Sequence, residues 1–128
     1  MSNTHQLSPD ILLKQGMQLD QTGQHDAAAV IYRQILEQQP DHAFALYLLG
    51  AIALRSGKLD TAVEMIGSAI LNNSKESVFH LSLGLALQKR GDLNDALNAY
   101  DIALCLAPQN PFATFRRAVV LMMLQRES

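Results

Sequence analysis

The segment Leu46–Ile70, LYLLGAIALRSGKLDTAVEMIGSAI, decides the fold. Its small and apolar residues fall at Leu46, Leu49, Gly50 and Ala53, and then at Ala62, Ile66, Ala69 and Ile70. Steps of three and four gather each set on one side of a helix, whereas a half-buried strand would alternate at every second residue. Gly57 stands between the sets and predicts the end of the first helix, because glycine readily takes the backbone conformation that closes one. The segment therefore reads as a helix, a tight turn and a second helix.

Stepping 34 residues in either direction meets the same pattern. Gly16, Gly50 and Gly84 are in register, as are Gly23, Gly57 and Gly91, leaving only Gly67 of the seven glycines outside it. Ala28, Ala62 and Ala96 keep the step, and so do the large residues Tyr32, Ile66 and Tyr100. Pro40 and Pro108 agree, with Ser74 between them. A period of this length marks a repeat architecture, in which each helix pair buries its apolar face by stacking on the next. The units run 9–42, 43–76 and 77–110, after a polar leader 1–8 and before a tail 111–128. Small residues at the glycine and alanine positions let the paired axes approach closely. Ser8 before Pro9 is placed to cap the first helix, and Asp26, Asp60 and Asn94 to cap the second helix of each unit.

The third unit, with Leu83, Gly84, Gly91, Ala96, Tyr100, Ala103 and Pro108, resembles the tetratricopeptide repeat. His80 departs from that motif's aromatic or leucine, Ser74 replaces the closing proline of the second unit, and Gln15 replaces a leucine in the first. The resemblance implies an all-α superhelical solenoid of about seven antiparallel helices, with a concave groove lined mainly by the first helices that usually binds peptides. Carried onto this chain, the groove positions are Leu13, Met17, Phe44, Tyr47 and Ala51 on the first two units. Val78, Leu81, Leu85, Phe112 and Phe115 continue them. The branch of the family that clamps a peptide's terminal carboxylate does so with Lys, Asn and Arg, where this chain has Leu13, Met17, Leu48, Val78 and Ser82. The asparagine ladder of the family's protein glycosyltransferases is likewise replaced, by Lys14, Leu48, Ser82 and Arg116. Apolar anchoring is the expectation that remains, centred on Phe44, Tyr47 and Leu81.

The tail opens with Pro111 and carries Phe112, Phe115, Ala118, Val119, Leu121 and Met122 at helical spacing, so it reads as an incomplete fourth unit or a capping helix. Residues 118–124 are apolar all round, although one side alone can pack on the third unit. An exposed strip of that kind usually marks an interface. The expectation is that it is covered by self-association as a homodimer, through Val120, Met123 and Leu124, or by polypeptide missing from this chain; the alternative is that it curls onto the third unit.

The remaining features exclude function classes. Ten Lys and Arg against twelve Asp and Glu, without a basic run, argue against nucleic acid as a partner. No apolar run approaches the roughly 18 residues of a membrane span, and the N-terminus lacks a signal peptide's pattern, so a cytoplasmic protein is expected. His5, His25, His42 and His80 show no ligand spacing and Cys105 has no second cysteine, so neither a metal site nor a cofactor is expected. His80 and Cys105 read as core residues, and the C-terminal cations Lys89, Arg90, Arg116, Arg117 and Arg126 as a solvated face. No residue is assigned chemistry. The function expected is a non-catalytic interaction module that binds a peptide or helix through apolar anchors. The alternatives are the substrate-recognition arm of a larger glycosyltransferase or methyltransferase, or a secretion-type chaperone.

Overall fold

The computed structural model describes residues 7–127, so the leader before Leu7, His5 included, lies outside the described residues. Seven helices follow one another: α1 (Pro9–Gln21), α2 (His25–Gln38), α3 (Ala43–Arg55), α4 (Leu59–Asn72), α5 (Ser77–Arg90), α6 (Leu93–Leu106) and α7 (Pro111–Glu127). No strand occurs among the described residues. Each helix packs on the next, and α3 also touches α5. The molecule is an all-α solenoid, as the spacing predicts.

The register sets the packing inside each pair. A Cβ added to Gly16 or Gly84 would run into the ring of Tyr32 or Tyr100, and one added to Gly50 would come within 2.6 Å of Ile66 Cγ1. All three large side chains are fully buried. Glycine on the first helix thus makes the space that a bulky residue of the second helix fills. The turns between paired helices pass through Gly23, Gly57 and Gly91, each with φ between 80° and 94°. That left-handed conformation strains any residue with a Cβ.

The helix starts depart in part from expectation. Ser8 Oγ accepts the Ile11 N–H (3.4 Å), His42 Nδ1 accepts the Ala45 N–H (3.1 Å), and Asn110 Oδ1 accepts the N–H groups of Phe112 (2.9 Å) and Ala113 (3.2 Å). Asp26, Asp60 and Asn94 are not caps, because α2, α4 and α6 begin one residue earlier, after Gln24, Lys58 and Asp92, and none of these makes a side-chain cap bond. Asp26 and Asp60 lie inside the first turn, where a carboxylate opposes the helix dipole favourably without replacing a cap.

Three further expectations concern burial. His80 is buried, and its Nε2 donates to the Ser74 carbonyl (2.9 Å), so the imidazole is a satisfied core residue. Cys105 is exposed instead of packed. It lies two residues past the buried Ala103, which turns it about 200° round α6 from the core. Val120 is fully buried and cannot serve self-association, because it falls seven residues after the buried Ala113, on the side of α7 that meets the third unit. It joins Leu87, Ala96 and Tyr100 in one cluster, against which Met123 and Leu124 also pack while partly buried. The exposed large apolar side chains of α7 are Phe112, Phe115, Leu121 and Met122.

Candidate peptide-binding groove

The expected groove positions divide into exposed anchors and a packed floor. Met17, Phe44, Val78, Phe112 and Phe115 are exposed, from 36% at Phe44 to 63% at Phe115. Leu13, Tyr47, Ala51, Leu81 and Leu85 are half-buried. Leu13 packs on the core of the first unit and Leu81 on that of the third.

At the centre three rings from two repeats meet. Phe79 of α5 stacks on Tyr47 of α3, with centroids 4.7 Å apart and planes 29° apart, and meets Phe44 edge-on at 5.1 Å. Phe44 and Tyr47 are themselves perpendicular at 6.4 Å. Offset and edge-to-face contacts of this kind suit the ring quadrupoles. Tyr47 therefore holds α3 against α5 while presenting part of its surface to the groove. Its hydroxyl accepts from Ser82 Oγ at 3.5 Å. Phe79 was missed in the sequence, although it had a signal: the in-register positions are Ile11, Ala45 and Ala113, so a ring stands where both neighbouring units have alanine, and it packs on Phe44 and Tyr47 one repeat earlier.

A polar counterpart lies between the first two units. Asp20 Oδ1 accepts from Arg55 (3.1 Å) and pairs with His25 Nδ1 (2.6 Å), while Asp20 Oδ2 accepts the Tyr32 hydroxyl (3.1 Å). These groups line a cleft of about 270 Å³ with Met17, Gln21 and Leu48. Burial, then the Asp20 charge and its hydrogen bond, hold the Tyr32 phenol well above its ordinary pKa, against an opposing pull from Arg55. Three partners converge on the carboxylate and tie α1, α2 and α3 together.

The third unit repeats this arrangement without charge. Tyr100 donates to Gln88 Oε1 (2.7 Å), and Gln88 Nε2 donates to Met123 Sδ (3.8 Å). Burial pushes the Tyr100 phenol up to about 12, against the nearby positive Arg116. The second unit has Leu54 and Ile66 at the same two positions, an apolar pair. The pairing was readable: a polar residue occurs twelve residues before a tyrosine twice, and an apolar one before isoleucine once. At the α7 end, Arg116 lies over the Phe112 ring (5.3 Å to its centroid), and its buried Nε has no hydrogen-bond partner.

No group of three or more His, Cys, Asp or Glu among the described residues is arranged to hold a metal ion. No described helix is long and apolar enough to cross a membrane. What the surface offers is a row of apolar side chains on successive first helices, with polar groups between repeats engaged structurally.

Comparisons with known proteins agree with the repeat fold. The family model of the TT21 fifth ARM repeats domain matches residues 17–106. The BBSome complex member bbs-4 of Caenorhabditis elegans is 28% identical over 95 residues, which are 74% of this chain and 21% of that protein. The chain thus spans about a fifth of that relative's length. Among solved structures, the first TPR of Spaghetti (RPAP3), bound to the HSP90 peptide SRMEEVD, superposes with a TM-score of 0.89 at 20% identity, over 95% of this chain and 97% of that one. An O-GlcNAc transferase mutant of Thermobaculum terrenum superposes with a TM-score of 0.86 at 24% identity, over 94% of this chain and 23% of that one. Both likenesses concern the fold.

Proposed function

Because the chain belongs to the family of the TT21 fifth ARM repeats domain and is built of tetratricopeptide repeats, we propose that it is a non-catalytic interaction module that holds a peptide or helical segment by apolar anchors in its groove. The observation that carries this reading is the row Met17, Phe44, Val78, Phe112 and Phe115, all exposed, on four successive first helices. Burying such side chains against partner anchors contributes about 1.5–3 kcal/mol each before ordering costs, so two or three suffice for micromolar binding. The repeat domain of Spaghetti, bound to a peptide, supports the general mode. A clamp for a peptide's terminal carboxylate is not part of this reading, because its positions hold Leu13, Met17, Leu48, Val78 and Ser82.

The test uses exposed residues, since Tyr47→Ala would also remove the stacking on Phe79. Affinity capture with the wild type and with a Met17→Ser, Phe115→Ser variant, both checked for helicity, is read by quantitative mass spectrometry. The variant should lose its specific partner by on the order of a hundredfold in affinity. Equal capture by both proteins would remove the groove as the binding site.

A further inference from the structure

Charge on this chain is sorted by layer. The three second helices carry six carboxylates, Asp26, Glu37, Asp60, Glu64, Asp95 and Asp101, against the single cation Arg33. The first helices carry seven of the ten Lys and Arg against three carboxylates, Asp10 and Asp20 on α1 and Glu127 at the end of α7. Part of this sorting is internal. Arg90 reaches Asp60 (3.0 Å) and Asp92 (2.6 Å), Arg117 reaches Asp101 (2.5 Å), and Arg55 reaches Asp20. Three of these pairs, Arg90–Asp60, Arg117–Asp101 and Arg55–Asp20, join different helices, while Arg90–Asp92 is local to the turn after α5.

After they are set aside, Lys14, Lys89, Arg116 and Arg126 have no ion pair among the described residues, while α3 and α5 hold no carboxylate and α7 has one, Glu127, at its last residue. Arg116 is the most informative of the four. It is half-buried, its Nε is out of reach of water and unbonded, and its guanidinium is laid over Phe112, itself an exposed groove anchor. A guanidinium kept partly desolvated beside an apolar anchor gains most from a carboxylate delivered to the same place. The α1 end differs, since Asp10 stands in register with Phe44, Val78 and Phe112.

We propose that the groove's occupant is an internal protein segment in which carboxylates accompany the apolar anchors, lying with its acidic end toward α7. This rests on the groove being the binding site. Complementary charge then sets orientation and partner choice, while the apolar anchors supply most of the affinity. A basic segment is rejected along the same length, because α3 and α5 offer it no carboxylate.

Three pools of peptides test this, acetylated and amidated so that no terminal carboxylate is present. They share randomised Leu, Phe and Met anchors and carry Glu, Gln or Lys at all other positions. Retention on immobilised protein should favour the Glu pool over the Gln pool by roughly tenfold at low salt and disfavour the Lys pool. The preference should vanish near 1 M NaCl, where the screening length is about 3 Å. It should shrink in Arg116→Gln and, as a variant on the exposed surface, in Lys89→Gln. Equal retention of the Glu and Gln pools, with both lost in Met17→Ser, Phe115→Ser, would overturn the acidic occupant and leave the groove standing. A preference for the Lys pool overturns it as well, and retention of no pool sinks both readings.

Discussion

Gly84→Ala and Gly67→Ala are the same substitution inside a helix, and the packing gives them opposite signs. By helix propensity alone each should stabilise the fold, by about 0.5–1 kcal/mol, because alanine loses less backbone freedom than glycine. At Gly67, in the interior of α4, a new Cβ meets nothing within 4 Å, so the propensity gain should be realised in full. At Gly84 the same Cβ would overlap the Tyr100 ring. That ring is fully buried, and its hydroxyl is tethered to Gln88 Oε1 at 2.7 Å, so it cannot swing aside without giving up a hydrogen bond. Forcing a methyl group into a close-packed site of this kind costs about 1–3 kcal/mol. Net destabilisation of about 1–2 kcal/mol follows after the propensity gain is subtracted. Urea titration and thermal melts followed by circular dichroism at the helical band should therefore separate the two variants by about 2–3 kcal/mol, or roughly 10 °C in Tm for a chain of this size. Repeating Gly84→Ala in a Tyr100→Leu background removes the ring, and the substitution should turn neutral or stabilising there, a coupling of on the order of 2 kcal/mol. If Gly84→Ala is as stabilising as Gly67→Ala, or if its cost persists without the ring, the close-approach reasoning is refuted.

Two further expectations concern the core. Val120→Ala should lower stability by about 1–2 kcal/mol and leave the sedimentation coefficient unchanged, since Val120 is fully buried against the third unit; a change in association at unchanged stability would return it to the surface. Alkaline titration should weaken the fold from about pH 10, where an exposed phenol in the unfolded chain begins to lose its proton, up to about 12, where folded Tyr100 ionises. The sign follows because the folded pKa is raised, so the stabilisation is complete below the unfolded pKa and is lost as pH rises. Tyr100→Phe should flatten this slope in denaturant melts, and an unaltered slope would show that the phenol does not titrate with folding.

How far the sequence reaches can be judged residue by residue. The glycine spacing made the helix pairs legible, because a tight interhelical contact and a left-handed turn each restrict the residue type at a single position. That Tyr32 fills the space beside Gly16 was not legible, because the register pointed to the small residues on both helices and only the packing shows the ring there. The groove list was legible only as a set of positions on one side of each first helix. Which of them are free was not, because Tyr47 is drawn down by Phe79, a contact across 32 positions that no local period records.

The repeat is written in the local sequence: helix, turn, helix, the residues that allow two axes to close, and the apolar content of the first helices. These are local properties, set within one unit by helical periodicity and backbone sterics. Which side of α7 is buried follows from packing alone, since its run of apolar residues carries no direction until α6 and the third unit lie against it. The tertiary structure likewise decided that Asp20 gathers His25, Tyr32 and Arg55 while Arg116 is left without a carboxylate. Ion pairing depends on distance in space, and stacking one repeat on the next is what converts a position in the register into that distance.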